Sequence, residues 1–150
     1  MSADFELDTM ERTVRSRAWG VVTEENLFNQ ADRIRTLFEL GTLDSTWAEV
    51  CDFTGAERFD HISSDEIRRL AGRNPWPKAS LRAIVAPSDV GFGLCRMYEM
   101  LCGTAGANVC VVRSQADAVA WLTQRRSSIQ ARHGDEEGRP AQGQSAGGVS

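Results

Sequence analysis

Between Val50 and Ile67 the chain places two carboxylates, Asp52 and Asp60, just ahead of His61, then follows with Ser63, Ser64, Asp65 and Glu66. An imidazole beside carboxylates has the makings of an acid–base group. Nucleophilic catalysis would also need a hydroxyl or thiol matched to that base, and the spacing names no such pair. We expect no enzyme here. Ser63 and Glu66 stand at the spacing of a capping box, in which hydroxyl and carboxylate satisfy free N–H groups at a helix start. Such a cap contributes about 1 kcal/mol without any further function. A second cluster, Pro87-Ser88-Asp89-Val90-Gly91-Phe92-Gly93, follows an apolar run and opens a helical one. Free N–H groups there could hold an anion, and Gly91 and Gly93 would let a ligand or a backbone approach closely. The orders Gly-x-Gly-x-x-Gly and Gly-Lys-Ser/Thr of nucleotide loops are missing. Close helix-to-sheet packing explains the same glycines.

Other reactive side chains point to packing. Cys51, Cys95, Cys102 and Cys110 form no Cys-x-x-Cys pair and fall in apolar runs, where thiols act as small hydrophobes. The two histidines, His61 and His133, lie in a loop and in a polar tail, so neither a metal site nor a cofactor is expected. Arg96 and Glu99, three apart, suit an ordinary surface ion pair. Met97, Met100 and Leu101 with Trp121 could line an apolar pocket, and Gly91, Gly93 and Met97 are the ligand-pocket candidates.

These groups need elements to position them. Phe5–Asp8 and the alternating run Arg12–Val22 suggest an antiparallel hairpin whose exposed face carries Arg15 and Arg17. Thr23 opens a helix with Glu24 and Glu25 in its first turn; Leu27, Ala31, Ile34 and Phe38 repeat at helical spacing, and Gly41 caps the end. Trp47–Phe53 reads as a strand, with Arg58 and Phe59 in the loop after it. A helix from Ser63 buries Ile67, Leu70 and Ala71 and stops at Gly72. Leu81–Ala86 is short and apolar, like a central parallel strand. The following helix, capped by Ser88 or Asp89, shows Val90, Leu94, Met97 and Leu101 on one face and ends at Gly103. Ala107–Val112 is the last strand, and Ser114 caps a final helix through Ala118, Trp121 and Leu122. The order is β-β-α-β-α-β-α-β-α: an α/β fold with a mainly parallel sheet and an antiparallel N-terminal hairpin. Residues 1–126 make one domain. Residues 127–150 have too few large apolar groups to repay their ordering and are expected to be a disordered polar tail.

At 150 residues and 41% hydrophobic, the chain can bury a core without metal or disulfide. Its net charge of −4 gives no support for nucleic acid as a partner. No apolar run approaches the roughly 18 residues of a membrane span. The first residues, Met1–Asp8, lack the basic and apolar regions of a secretion signal, so a cytoplasmic protein is expected.

The element order, together with Asp52-Phe-Thr-Gly-Ala-Glu-Arg-Phe-Asp60, resembles the STAS domain (sulfate transporter and anti-sigma factor antagonist). More closely it resembles the SpoIIAA-like family, small STAS-like bacterial proteins related to CRAL-TRIO lipid-binding domains. Trp19-Gly-Val-Val-Thr-Glu-Glu25, Arg82-Ala-Ile-Val-Ala-Pro-Ser-Asp89 and Gly91-Phe-Gly-Leu-Cys-Arg-Met-Tyr-Glu99 carry the rest of the likeness, over residues 4–123. The resemblance implies an α/β sandwich without catalytic activity. It also implies a regulatory module that recognises a protein partner, or one that holds a small apolar or amphipathic, lipid-like ligand. Asp60, His61, Ser64, Asp65, Ser88 and Asp89 are the partner-binding candidates, at two adjacent helix starts. In anti-sigma factor antagonists a serine near the start of the second helix is phosphorylated by a partner kinase; Ser63 and Ser64 are the nearest positions. The chain departs from that pattern, with His61-Ile62 after Asp60 and Asp65-Glu66 in place of a glycine. A phosphate on Ser64 would meet two carboxylates, which oppose what the helix start gains.

Overall fold

The computed structural model describes residues 3–103 and 108–137, with side chains of the last helix through Arg132. Its elements are β1 (Ala3–Asp8), β2 (Thr13–Ala18), β3 (Gly20–Thr23), α1 (Glu24–Glu39), β4 (Ala48–Asp52), β5 (Ala56–Asp60), α2 (Ser64–Gly72), β6 (Arg82–Val85), α3 (Asp89–Leu101), β7 (Val109–Val112) and α4 (Gln115–Glu137). The main sheet runs β1-β2-β4-β6-β7, and a two-stranded sheet joins β3 to β5. Among the described residues only β1 and β2 pair antiparallel; the other pairs are parallel. The expected α/β fold with its N-terminal hairpin is therefore present.

Two strands go beyond the expected order. The run Arg12–Val22 is not continuous: Gly20 sits at φ +65°, which a glycine adopts without a side-chain penalty, and its N–H bonds Gly55 O at 2.9 Å. The chain thereby leaves the main sheet and starts β3. Arg58 and Phe59, expected in a loop, lie in β5, which pairs with β3. This strand shows only Ala56 and Phe59 as apolar positions, too few to produce a visible period.

Helices α1, α2 and α3 cover one face of the main sheet and α4 the other. Ala48, Val50, Ala83 and Val85 pack with Ala118 and Leu122 of α4, while Phe53, Ile84 and Val111 pack on the opposite side with Cys95 of α3. Val14, Ile34, Trp47 and Trp76 close a third cluster under α1, where Phe38 meets Trp76 edge-on at 5.1 Å. The predicted caps form. Thr23 Oγ1 accepts from Asn26 N, Ser63 and Glu66 make the capping box, and Ser88 Oγ accepts from Gly91 N at 3.0 Å. Gly41, at φ +77°, follows the last residues of α1 and donates to Phe38 O.

Three expectations need correcting. Helix α3 turns the other way about its axis: Gly91, Cys95 and Glu99 face the sheet, and Val90, Met97 and Leu101 face solvent. The sheet-facing positions mix glycine, cysteine and a carboxylate, which an apolar count scores poorly. Trp121 packs in the α4 layer, on the far side of the sheet from α3, so it does not join Met97. Finally, α4 does not stop near Ser127 but continues to Glu137. Ile129 packs with the Leu122 layer and Arg126 donates to Arg12 O and Thr13 Oγ1, so two long-range anchors extend a polar helix. The rest of the expected tail lies outside the described residues. Among the described residues, no helix is long and apolar enough to cross a membrane.

Candidate functional site

Glu49 and Arg82 are neighbours in register on the central strands β4 and β6, on the face that α1, α2 and α3 cover. Their side chains are only 4% and 8% exposed. Removing two charges from water costs several kcal/mol each, and only good geometry offsets it. The geometry is good. Arg82 Nε and Nη2 each reach Glu49 Oε1 at 3.0 Å, and Ser16 Oγ donates to Glu49 Oε2 at 3.0 Å. Arg82 Nη1 donates to Asn74 Oδ1 at 3.1 Å. The guanidinium also lies against the Tyr98 and Trp76 rings, 5.4 and 5.8 Å from their centroids. Burial works against the arginine cation, but Tyr98 and Glu49 outweigh it and raise its pKa. Burial also pushes the Tyr98 hydroxyl upward, so both groups hold their protons.

This polar cluster floors a cavity of about 110 Å³ between the helix layer and the sheet. Leu27 and Ile34 of α1, Phe53, Phe59, and Ile67 and Leu70 of α2 form its apolar walls. Gln30, Asn74, Glu49, Arg82 and Tyr98 supply the polar groups. Gln30 is 9% exposed, and its Oε1 is buried without a hydrogen-bond partner among the described residues. Cys51 and Cys95 also line the space; burial raises both thiols, Cys95 to about 12. A mostly apolar hollow with a few convergent polar groups has the make-up of a small-molecule site.

The groups singled out in sequence lie elsewhere. Gly91, Gly93 and Met97 do not line the cavity, which takes Leu94, Cys95 and Tyr98 from the same helix. A Cβ on Gly91 would come within 2.8 Å of the Phe59 ring and of Ser88 Oγ, so this glycine serves packing between α3 and β5. A Cβ on Gly93 would meet nothing within 4 Å. Asp60 ends β5, and His61 follows at φ +54° with its side chain 93% exposed and Nε2 3.4 Å from Asp60 Oδ1. Ser63 is occupied as the helix cap, Ser64 is exposed, and Asp65 pairs with Arg68 at 3.1 Å. Asp89 accepts from Arg113 Nη1 at 2.8 Å, and that arginine stacks on Phe92 at 4.1 Å. The contact of Phe59 with the Gly91 turn brings the end of β5 and the start of α3 side by side. Asp52 closes its own turn by accepting from Thr54 N at 2.8 Å. Arg96 does bridge to Glu99, but the Glu99 side chain is 1% exposed, so this is no ordinary surface pair. Among the described residues no cluster of three His, Cys, Asp or Glu side chains could hold a metal.

Sequence reasoning missed Gln30, Glu49, Asn74, Arg82 and Tyr98. A signal existed for two of them. Glu49 interrupts Trp47-Ala-Glu-Val-Cys51, and Arg82 interrupts Leu81-Arg-Ala-Ile-Val85. A lone charge inside each of two apolar strands, of opposite sign, calls for a buried pair.

No family model matches the sequence, and a search of curated proteins finds none similar enough to count. Solved structures do match. One is an uncharacterised protein of the DUF3478 family with a SpoIIAA-like fold from Shewanella loihica PV-4. It is 14% identical, with a TM-score of 0.51 over 80% of this chain and 91% of that one. Another is the anti-sigma factor antagonist SpoIIAA in its unphosphorylated form, 15% identical, with a TM-score of 0.49 over 81% of this chain and 97% of that one. At such identities the likeness concerns the fold alone, and the fold of this chain is SpoIIAA-like.

Proposed function

We propose that this protein is a non-enzymatic binding module that takes a small amphipathic molecule into the cavity above Glu49 and Arg82. The carrying observation is an apolar hollow whose floor is a buried, hydrogen-bonded ion pair beside an unpartnered amide oxygen. Core packing alone favours filling such a space, because every unfilled volume forfeits contacts. The four cysteines are free, which suits a reducing cytoplasm. Intact-mass measurement under non-denaturing conditions, on protein purified from its own cells, tests the reading. It is run alongside thermal unfolding with a library of ring-sized compounds. The expected result is a bound small molecule, or stabilisation by a subset of compounds that Ala31→Phe abolishes by filling the space. A clean mass and no stabilisation by any compound would sink the reading.

A second reading is a regulatory module that recognises a protein partner at the adjacent starts of α2 and α3. The exposed stripe Val90, Met97, Met100 and Leu101 on α3 favours it, since an apolar helix face beside polar helix starts suits a docking surface. Alanine at Asp60, His61, Ser64, Asp65, Ser88 and Asp89, and glutamate at Val90 and Met97, would then weaken a partner complex. Ser63 and Ser64 are both exposed, and Ser64 suits a kinase better because Ser63 Oγ already caps α2. A partner complex unaffected by all of these changes would remove this surface from consideration.

A further inference from the structure

We propose that the segment Ile62–Trp76, with helix α2 at its centre, is a gate over the cavity that opens at its Ser63 end while its Trp76 end stays fixed. This deepens the ligand-binding reading above and rests on its cavity, giving the route by which an occupant enters and leaves. Three observations carry it.

The first is the roof. Ile62, Ile67, Leu70, Asn74, Pro75 and Trp76 all line the cavity, so one continuous stretch of chain closes it opposite the sheet. Moving that stretch alone opens the space. The second is how little holds α2 down. Its buried residues are Ile67 and Leu70, and neither belongs to the three core clusters among the described residues. Both turn their apolar surface to the cavity wall. Ser64, Asp65, Arg68 and Arg69 face solvent. The ion pair of Arg69 with Glu24 at 3.2 Å ties the helix to α1, but its arginine is half-exposed and water screens it. An element with few buried apolar contacts opens at a lower free energy than the whole fold.

The third observation is the contrast between the two ends. At the exit, Asn74 Oδ1 accepts from Trp76 N at 3.0 Å and from the buried Arg82 at 3.1 Å. Trp76 is buried against Phe38, and Arg73 stacks on Phe28 at 4.8 Å. At the entry, His61 holds φ +54° with its side chain in solvent. A left-handed backbone is disfavoured for a residue with a Cβ, and such strain collects at clamps and switches. The exit is thus the pivot, and the entry is the end that lifts.

Cys51 and Cys95 line the cavity and report its opening. Burial raises both thiols, so they react slowly while the roof is closed. Methyl methanethiolsulfonate is added to the full chain in increasing sub-denaturing urea, and labelling of each cysteine is timed by mass spectrometry. The expected urea dependence is much shallower than that of global unfolding, because opening exposes only a small segment. Arg69→Ala is expected to speed labelling of Cys51 and Cys95 about two- to fivefold, the scale of one surface ion pair, and to leave Cys110 on β7 unchanged. Arg68→Ala, whose partner Asp65 lies in the same helix, is the control and is expected to alter no rate. Benzene, the probe for an occupied cavity, is expected to slow both cavity thiols. Labelling with the urea slope of global unfolding, or at an unchanged rate in Arg69→Ala, would overturn the gate and leave the ligand-binding reading standing. A shallow slope and faster labelling in Arg69→Ala, with no effect of benzene, would uphold the gate and count against the ligand-binding reading.

Discussion

The two faces of the five-stranded sheet both carry arginine–carboxylate pairs, and the pairs differ in surroundings rather than in chemistry. On the α4 side, Arg17 forks onto Asp4 at 2.8 and 3.2 Å, and Arg15 reaches Asp8 at 3.2 Å, with the four side chains 27–67% exposed. Hydrogen bonding from Arg17 holds the Asp4 carboxyl below its ordinary range. On the other side, Arg82 and Glu49 make contacts of similar length beneath three helices and at the floor of a cavity. Water screens the first set and leaves it with little energetic weight. The second set has no water to fall back on, so each member depends on the other. Burial, rather than residue type, separates a solubilising edge from a candidate binding site.

The sharpest way to break this comparison is to remove one partner on each side. Arg82→Met is expected to cost about 3–5 kcal/mol in chemical denaturation, because it leaves the Glu49 carboxylate buried and unpaired. The double change Glu49→Leu with Arg82→Met is expected to recover most of that loss. A single-variant cost below about 1 kcal/mol would mean that the inner pair is as well solvated as the outer one. The inner and outer faces of α3 give a second contrast. Gly91→Ala is expected to destabilise by about 1 kcal/mol, the clash with Phe59 outweighing the gain in helix propensity. Gly93→Ala, which enters open space, is expected to stabilise by about 0.5–1 kcal/mol.

The buried thiols sharpen the comparison through pH. Burial raises Cys95 from 9.0 to about 12. Between those values the unfolded chain releases a proton that the folded chain keeps, so stability is full below pH 9 and falls as pH rises through the window. Denaturation midpoints from pH 8 to 10.5 are expected to decline in wild type and to decline less in Cys95→Ala. At the small end, Arg17→Ala on the outer face is expected to leave the denaturation midpoint where it is.

Much of the fold was legible because local and global signals agree. The alternation of β2, the apolar runs of β4 and β6, and the Thr23, Ser63 and Ser88 caps all name their elements. Legibility failed where a contact distant in sequence decides the outcome. Strand β5 exists because β3 lies beside it, and α4 continues because Arg126 and Ile129 find anchors. The candidate site was the least legible part. The exposed polar clusters at the helix starts are plain in the sequence, and there Ser63 caps α2, Asp65 pairs with Arg68 and Asp89 with Arg113. The cavity is floored instead by residues that break an apolar pattern, and its walls come from α1, the β4–β5 region, α2 and α3, whose meeting no local motif announces.

The most direct test of the central claim is to record methyl NMR spectra of the full chain during titration with a ring-sized compound that raises its unfolding temperature. The account predicts shift changes and intermolecular contacts at the methyl groups of Leu27, Ile67 and Leu70, with Val90, Met97 and Leu101 unmoved. Changes confined to Val90, Met97 and Leu101, with the cavity methyls silent, would contradict it.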